Sequence, residues 1–148
     1  MTARIILSEA TVSAGFPSPA DDFSERKLDL NEYLIKHPAA TFFVRAKGVS
    51  MQNGGISDGD LLIVDRALEA RSGNIIIGFI DGEFTVKRIR ISQKQVFLIP
   101  ENSSFKPIRI TEEMDFQVWG VVTFVIKRLS AVRNQLTAVS DLLTTGRI

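Results

Sequence analysis

The 148-residue chain sets 18 basic against 17 acidic residues, a formal net charge of +1, with 45% hydrophobic and 24% charged residues. That length fits one globular domain, and so small a net charge leaves no electrostatic footprint for strong nucleic-acid binding. The absence of cysteine excludes disulfides, thiolate metal sites and cysteine nucleophiles, and a single histidine, His37, leaves a histidine-based metal site short of ligands. No cofactor is expected.

In chain order, "MTARIILSEATVSAG" has a short apolar stretch with an acidic residue close behind it, which makes a poor signal peptide. The longest apolar run, Val118 to Ile126, is about half of a membrane span. A soluble, cytoplasmic protein is therefore expected. Residues 1–40 lack sustained periodicity and contain the turn-forming string "GFPSPADD". "LDLNEYLIKHP" adds a helical turn or two before Pro38 ends it. This region reads as a flexible arm and not as a second core.

Residues 41–129 read as a β domain. "TFFVRA" and "LLIVDR" are short apolar runs, and "GNIIIGFI-DG-EFTVKRIRI" is a hairpin with Asp81-Gly82 at its turn. "QVFLIP" and "FQVWGVVTFVIKRL" supply further strands, so the expected fold is mainly β, a compact folded antiparallel sheet or barrel-like domain. Towards the tail, residues 130–148, the pattern changes. Val125, Leu129, Val132, Leu136, Val139 and Leu143 recur at helical spacing, with Gly146 suited to stop the helix. Such a stripe packs on its own domain or pairs with another chain.

The chemistry gathers around "KGVSMQNGGISDGD", residues 47–60. A serine flanked by small and flexible residues is either part of a surface loop or a nucleophile that needs close backbone approach. A serine hydroxyl is a weak nucleophile and requires a base within hydrogen-bond reach. His37, beside Pro38, makes a poor case for a histidine triad. A lysine serves if burial keeps it neutral, and Lys87 lies within the strand "EFTVKRIRI". Strand alternation puts Lys87 on the face of Thr85 and Ile89, opposite Phe84, Val86 and Arg88. Spacing alone favours a solvated lysine on an open sheet face and does not identify a dyad. Asp58-Gly59-Asp60 reads as the turn into "LLIVD" and not as chemistry.

"GVSMQNGGISDGDLLIVDR" followed by "DGEFTVKRI" resembles the LexA/UmuD family of self-cleaving serine–lysine proteins. The likeness runs from "GFPSPADDF" through "LDLNEYLIKHPAATFFV" and "DGDLLIVD" to "VWGVV", most of residues 15–125. It implies a LexA-type C-terminal domain in which Ser50 is the nucleophile and Lys87 the general base. The backbone amides of Val49 and Ser50 are then the oxyanion donors, and Gly48, Gly54 and Gly55 permit the tight path. The scissile bond, a small residue followed by glycine before "FPSPA", becomes Ala14-Gly15. Its Ala-Gly form is that of LexA, where UmuD has cysteine before the glycine.

The resemblance further implies a DNA-damage (SOS) response protein whose cleavage is stimulated by the RecA–single-stranded DNA filament. The shortened homodimer would join a UmuC-like Y-family polymerase subunit in error-prone lesion bypass. Two other readings share the fold. A LexA-like or phage-type repressor carries a helix-turn-helix domain ahead of the peptidase, whereas here about 40 residues precede the core, with no paired helical pattern and no basic cluster. A dimeric interaction module that no longer cuts is the other, and the intact serine, lysine and Ala-Gly bond argue against it. The family core does not extend to residues 130–148, so the resemblance is silent on the tail.

Overall fold

The computed structural model describes residues 6–10 and 23–129, with side chains from Leu28 onward. Nine strands and one short helix make up the regular structure of these residues: β1 (Ile6–Ala10), β2 (Phe23–Asp29), α1 (Leu30–Leu34), β3 (Thr41–Arg45), β4 (Leu61–Asp65), β5 (Ile75–Ile80), β6 (Glu83–Ser92), β7 (Gln95–Ile99), β8 (Ile108–Arg109) and β9 (Phe116–Ile126). Single turns of 3₁₀ helix occupy Pro38–Ala40 and Gln52–Gly54.

The domain is one antiparallel sheet of seven strands in the order β3-β4-β9-β5-β6-β7-β8. The expected mainly β architecture is therefore present. β5 and β6 form the expected hairpin, in register from Ile80↔Glu83 to Ile75↔Arg88. Its turn residues have φ of 47° at Asp81 and 89° at Gly82, the left-handed pair that a two-residue hairpin with right-twisted strands demands. β4 is buried along nearly its whole length, with Leu62 and Val64 packed in the core, which suits the apolar run "LLIVD".

The core has two parts. Ala46, Met51, Ile56, Leu62, Val64 and Ile77 form one cluster, and Ile76, Ile89, Leu98 and Val121 the other. The adjacent residues Ile76 and Ile77 fall in different clusters because successive side chains of β5 point to opposite faces. Full burial of each such side chain contributes ~1.5–3 kcal/mol. Met51 and Ile56, on either side of the first glycine pair, thereby pin the serine loop to the sheet.

The arm holds more order than its sequence pattern indicates. β1 pairs antiparallel with β2, from Ile6↔Asp29 to Ala10↔Phe23, with an irregularity between Ser8 and Ala10. The helical turn expected in "LDLNEYL" is α1, capped by the Asp29 carboxylate, which accepts the Asn31 N–H at 3.0 Å. At the other end the tail requires a correction. Val125 belongs to β9, not to a helix, and residues 127–129 are irregular. The rest of the apolar stripe, from Val132 to Leu143, lies outside the described residues.

Candidate active site

The loop between β3 and β4 carries Ser50. Its base is closed by two backbone bonds of 2.8 Å, Ala46 N–H to the Asp60 carbonyl and Gly59 N–H to the Ala46 carbonyl. Gly48 has φ of 94°, a left-handed backbone that a side chain rarely tolerates, and its N–H donates to Asp58 Oδ1 at 2.7 Å. Gly54 is needed for a different reason: a Cβ there would lie 2.6 Å from Glu101 Cγ. Asp60 also works on backbone, accepting the Ser57 N–H at 2.7 Å. The two aspartates thus build the loop, as the turn reading expected.

Residues 101–105 brace this loop from a second side. Asn53 N–H donates to the Glu101 carbonyl at 2.7 Å, and Asn102 Nδ2 donates to the Val49 carbonyl at 2.8 Å. The Glu101 carboxylate pairs with the Arg88 guanidinium, and Arg88 follows Lys87 on β6. Through that pair the strand bearing the lysine and the loop bearing the serine share one scaffold.

Lys87 is only 9% exposed. Its Nζ lies 3.0 Å from Ser50 Oγ, 2.8 Å from Thr85 Oγ1 and 3.1 Å from the Val86 carbonyl oxygen. Among the described residues no carboxylate pairs with it. Burial penalises the ammonium and pushes the Lys87 pKa below the ordinary lysine value. The open-face lysine favoured by spacing alone is not what the fold makes. Ser50 and Lys87 both line a cleft of about 350 Å³, with Val44, Ile77, Phe84 and Phe105 among its apolar walls. Among the described residues the Val49 and Ser50 amides meet no acceptor.

The structure therefore brings together Ser50, Lys87 and Val49 from the sequence-derived set. Ala14 and Gly15 fall in the connection between β1 and β2, residues 11–22, outside the described residues. His37 is not among the cleft residues; its Nδ1 lies 2.5 Å from Asp65 Oδ2. Burial works to raise the Asp65 pKa, but the His37 hydrogen bond, the Ala67 N–H and the His37 charge outweigh it, and the net shift is downward. The contributions of Asn102 and Glu101 escape a sequence reading: "PENSSF" signals a turn but not what the turn touches. Thr85 is visible in sequence only as a neighbour on the face of Lys87.

This geometry sits in a chain that matches the family model described as Peptidase S24-like over residues 5–123. The chain belongs to the Peptidase S24-like family. It is 49% identical over 120 residues to Protein ImpA of Escherichia coli, covering 81% of each chain. It is 45% identical over 113 residues to Protein MucA of Escherichia coli, covering 76% of this chain and 77% of that one. The LexA repressor of Ectopseudomonas mendocina is 40% identical over 118 residues, 79% of this chain and 57% of the repressor. The relationship implied by the motifs around Ser50 and Lys87 is thus found across most of the chain. Among the described residues no helix is long and apolar enough to cross a membrane.

Proposed function

We propose that this chain is a self-cleaving serine–lysine peptidase that cuts its own Ala14-Gly15 bond. The observation that carries the reading is the 3.0 Å approach of Lys87 Nζ to Ser50 Oγ at a buried position that has no carboxylate partner among the described residues. A neutral amine offers two N–H donors and one lone pair. Thr85 Oγ1 and the Val86 carbonyl take the two donors, which leaves the lone pair for the Ser50 hydroxyl. The same three partners serve the ammonium once the proton has moved, so proton transfer needs no rearrangement.

In the proposed reaction neutral Lys87 takes the Ser50 proton as Oγ bonds to the Ala14 carbonyl carbon. The Val49 and Ser50 amides receive the oxyanion. Collapse breaks the Ala14-Gly15 bond, and Lys87 returns the proton to the departing Gly15 amine. Water, again deprotonated by Lys87, hydrolyses the acyl ester and frees residues 1–14. Because the substrate is part of the chain, its effective concentration is high, and docking of the arm is what a partner can regulate.

By its likeness to the SOS-mutagenesis members of the family, the protein is further read as a cytoplasmic DNA-damage response factor. In this reading the RecA–single-stranded DNA filament stimulates cleavage, and the processed homodimer serves a UmuC-like translesion polymerase subunit. In this reading residues 1–40 are the cleavable arm, 41–129 the peptidase domain and 130–148 an amphipathic helical tail.

The test is to incubate the purified protein with and without RecA, single-stranded DNA and a nucleotide, and to measure product mass. Loss of 14 residues, stopped by Ser50→Ala and by Lys87→Ala, is the expected result. Cleavage at another bond, or undiminished cleavage by either variant, would overturn the assignment.

A further inference from the structure

We infer that Asn102, 52 residues away from the serine in sequence, is a positioning residue that aims the Ser50 amide into the cleft. The inference rests on the proposed self-cleavage and adds to it a group that does not touch the reacting atoms. Asn102 Nδ2 donates to the Val49 carbonyl at 2.8 Å. That carbonyl and the Ser50 N–H belong to one peptide unit, which is planar and trans, so its C=O and N–H point in opposite directions. Holding the oxygen on the Asn102 side therefore fixes the N–H on the other side. Val49 and Ser50 line the cleft whereas Asn102 does not. Among the described residues the Ser50 N–H has no competing acceptor.

Asn102 is itself held by the turn it begins. Its side-chain Oδ1 accepts the Ser104 N–H at 3.0 Å, and its backbone carbonyl accepts the Phe105 N–H at 3.0 Å. The first of these bonds leaves only the NH₂ end of the amide to face Val49. The loop is also tied to the neighbouring residue by the Asn53 N–H bond to the Glu101 carbonyl. A donor on a peptide oxygen polarises the whole unit and strengthens what its N–H can give to a developing oxyanion. Asn102 so acts through Ser50 and not on Lys87, with whose nitrogen it has no hydrogen bond.

The test compares wild type with Asn102→Ala and Asn102→Asp in two measurements. Asn102→Asp keeps the acceptor for Ser104 N–H, and with it the turn, but presents an anion to the Val49 oxygen. The first measurement is the pH profile of unassisted self-cleavage. The plateau rate should fall on the order of tenfold or more in both variants, and in the uncharged Asn102→Ala the midpoint should stay where it is in wild type. The second is the amide resonance of Ser50 in Ser50-labelled protein, which should move in both variants as the peptide loses its polarising donor. An unchanged rate, or a fall accompanied in Asn102→Ala by a displaced midpoint, would overturn the inference, since the latter would mean that Lys87 had been disturbed instead. An unmoved Ser50 resonance would overturn it as well. If wild type does not cut through Ser50, the proposed function fails on its own, and the amide resonance still decides the role of Asn102.

Discussion

Lys127 Nζ lies 3.0 Å from Ser57 Oγ, the same distance that separates Lys87 Nζ from Ser50 Oγ. The surroundings differ in every respect that matters for chemistry. Lys127 has a 39% exposed side chain and an ion pair at 2.5 Å with Asp60, whose carboxylate holds its ammonium. Lys87 is buried, has no such anion among the described residues, and meets only neutral oxygens. A Ser–Lys distance alone therefore identifies nothing. What distinguishes the two pairs is whether the lysine meets an anion that welcomes its proton or a burial that makes the proton costly.

Four measurements would break or sharpen this contrast. The largest difference is expected between Ser50→Ala and Ser57→Ala in the self-cleavage assay. Loss of the proposed nucleophile should cost at least ~10⁴-fold, as with other enzymes stripped of theirs. Ser57→Ala should stay within about twofold of wild type, as surface substitutions do. Equal losses from the two would erase the distinction.

The next largest effect is in pH. Burial lowers the Lys87 pKa, so the neutral form becomes populated at lower pH than for a free lysine. Below that folded pKa, unassisted cleavage should climb about tenfold per pH unit, and it should level off above it. Lys127→Met should leave the curve in place. A profile that falls at alkaline pH with the fold intact would assign the base elsewhere.

Thr85→Val tests the cradle of the lysine nitrogen. The variant keeps the side-chain shape but removes an acceptor at 2.8 Å, leaving a buried N–H unpaired at ~1–3 kcal/mol. Because an acceptor supports the ammonium more than the amine, its loss should move the pH midpoint downward while the plateau rate falls severalfold. A stationary midpoint would mean that Thr85 does not bear on the proton.

The smallest effect belongs to Asp60→Asn. It breaks the ion pair with Lys127 and weakens the bond to the Ser57 N–H, which should lower unfolding free energy by about 1 kcal/mol in denaturant melts. Cleavage should change by no more than about twofold. A large loss would show that the base of the loop governs the serine more closely than its contacts indicate.

Much of this molecule is legible in the sequence where a local rule applies. Asp81-Gly82 reads as a hairpin turn because that turn needs two left-handed residues, and the structure supplies them. The short apolar run "LLIVD" reads as a strand, and it is β4, buried along nearly its whole length. β1 and β2 are not legible, since "FSERKLD" runs three charged residues together and gives no period-two apolar signal. Two-residue β8 is too short to show any period. The tail stripe misleads by starting at Val125, whose apolar side chain serves β9 as well as it would serve a helix. Whether Lys87 is buried depends on how the β5–β6 hairpin meets the serine loop, a long-range matter that strand alternation does not contain. The Asn102 contact is of the same kind.

The strand order also bears on when the molecule becomes competent during its synthesis. Within the sheet, β9 lies between β4, which follows the Ser50 loop, and the β5–β6 hairpin that carries Lys87. β9 is the last strand among the described residues. A ribosome thus delivers the arm first, the serine next and the lysine later, yet the piece that unites the two halves of the sheet emerges after all of them. A nascent chain halted before Phe116 holds every residue of the proposed reaction and lacks the strand that seats them side by side. If the proposed cleavage takes place, the order of translation delays it until the domain that carries the serine and the lysine has been made.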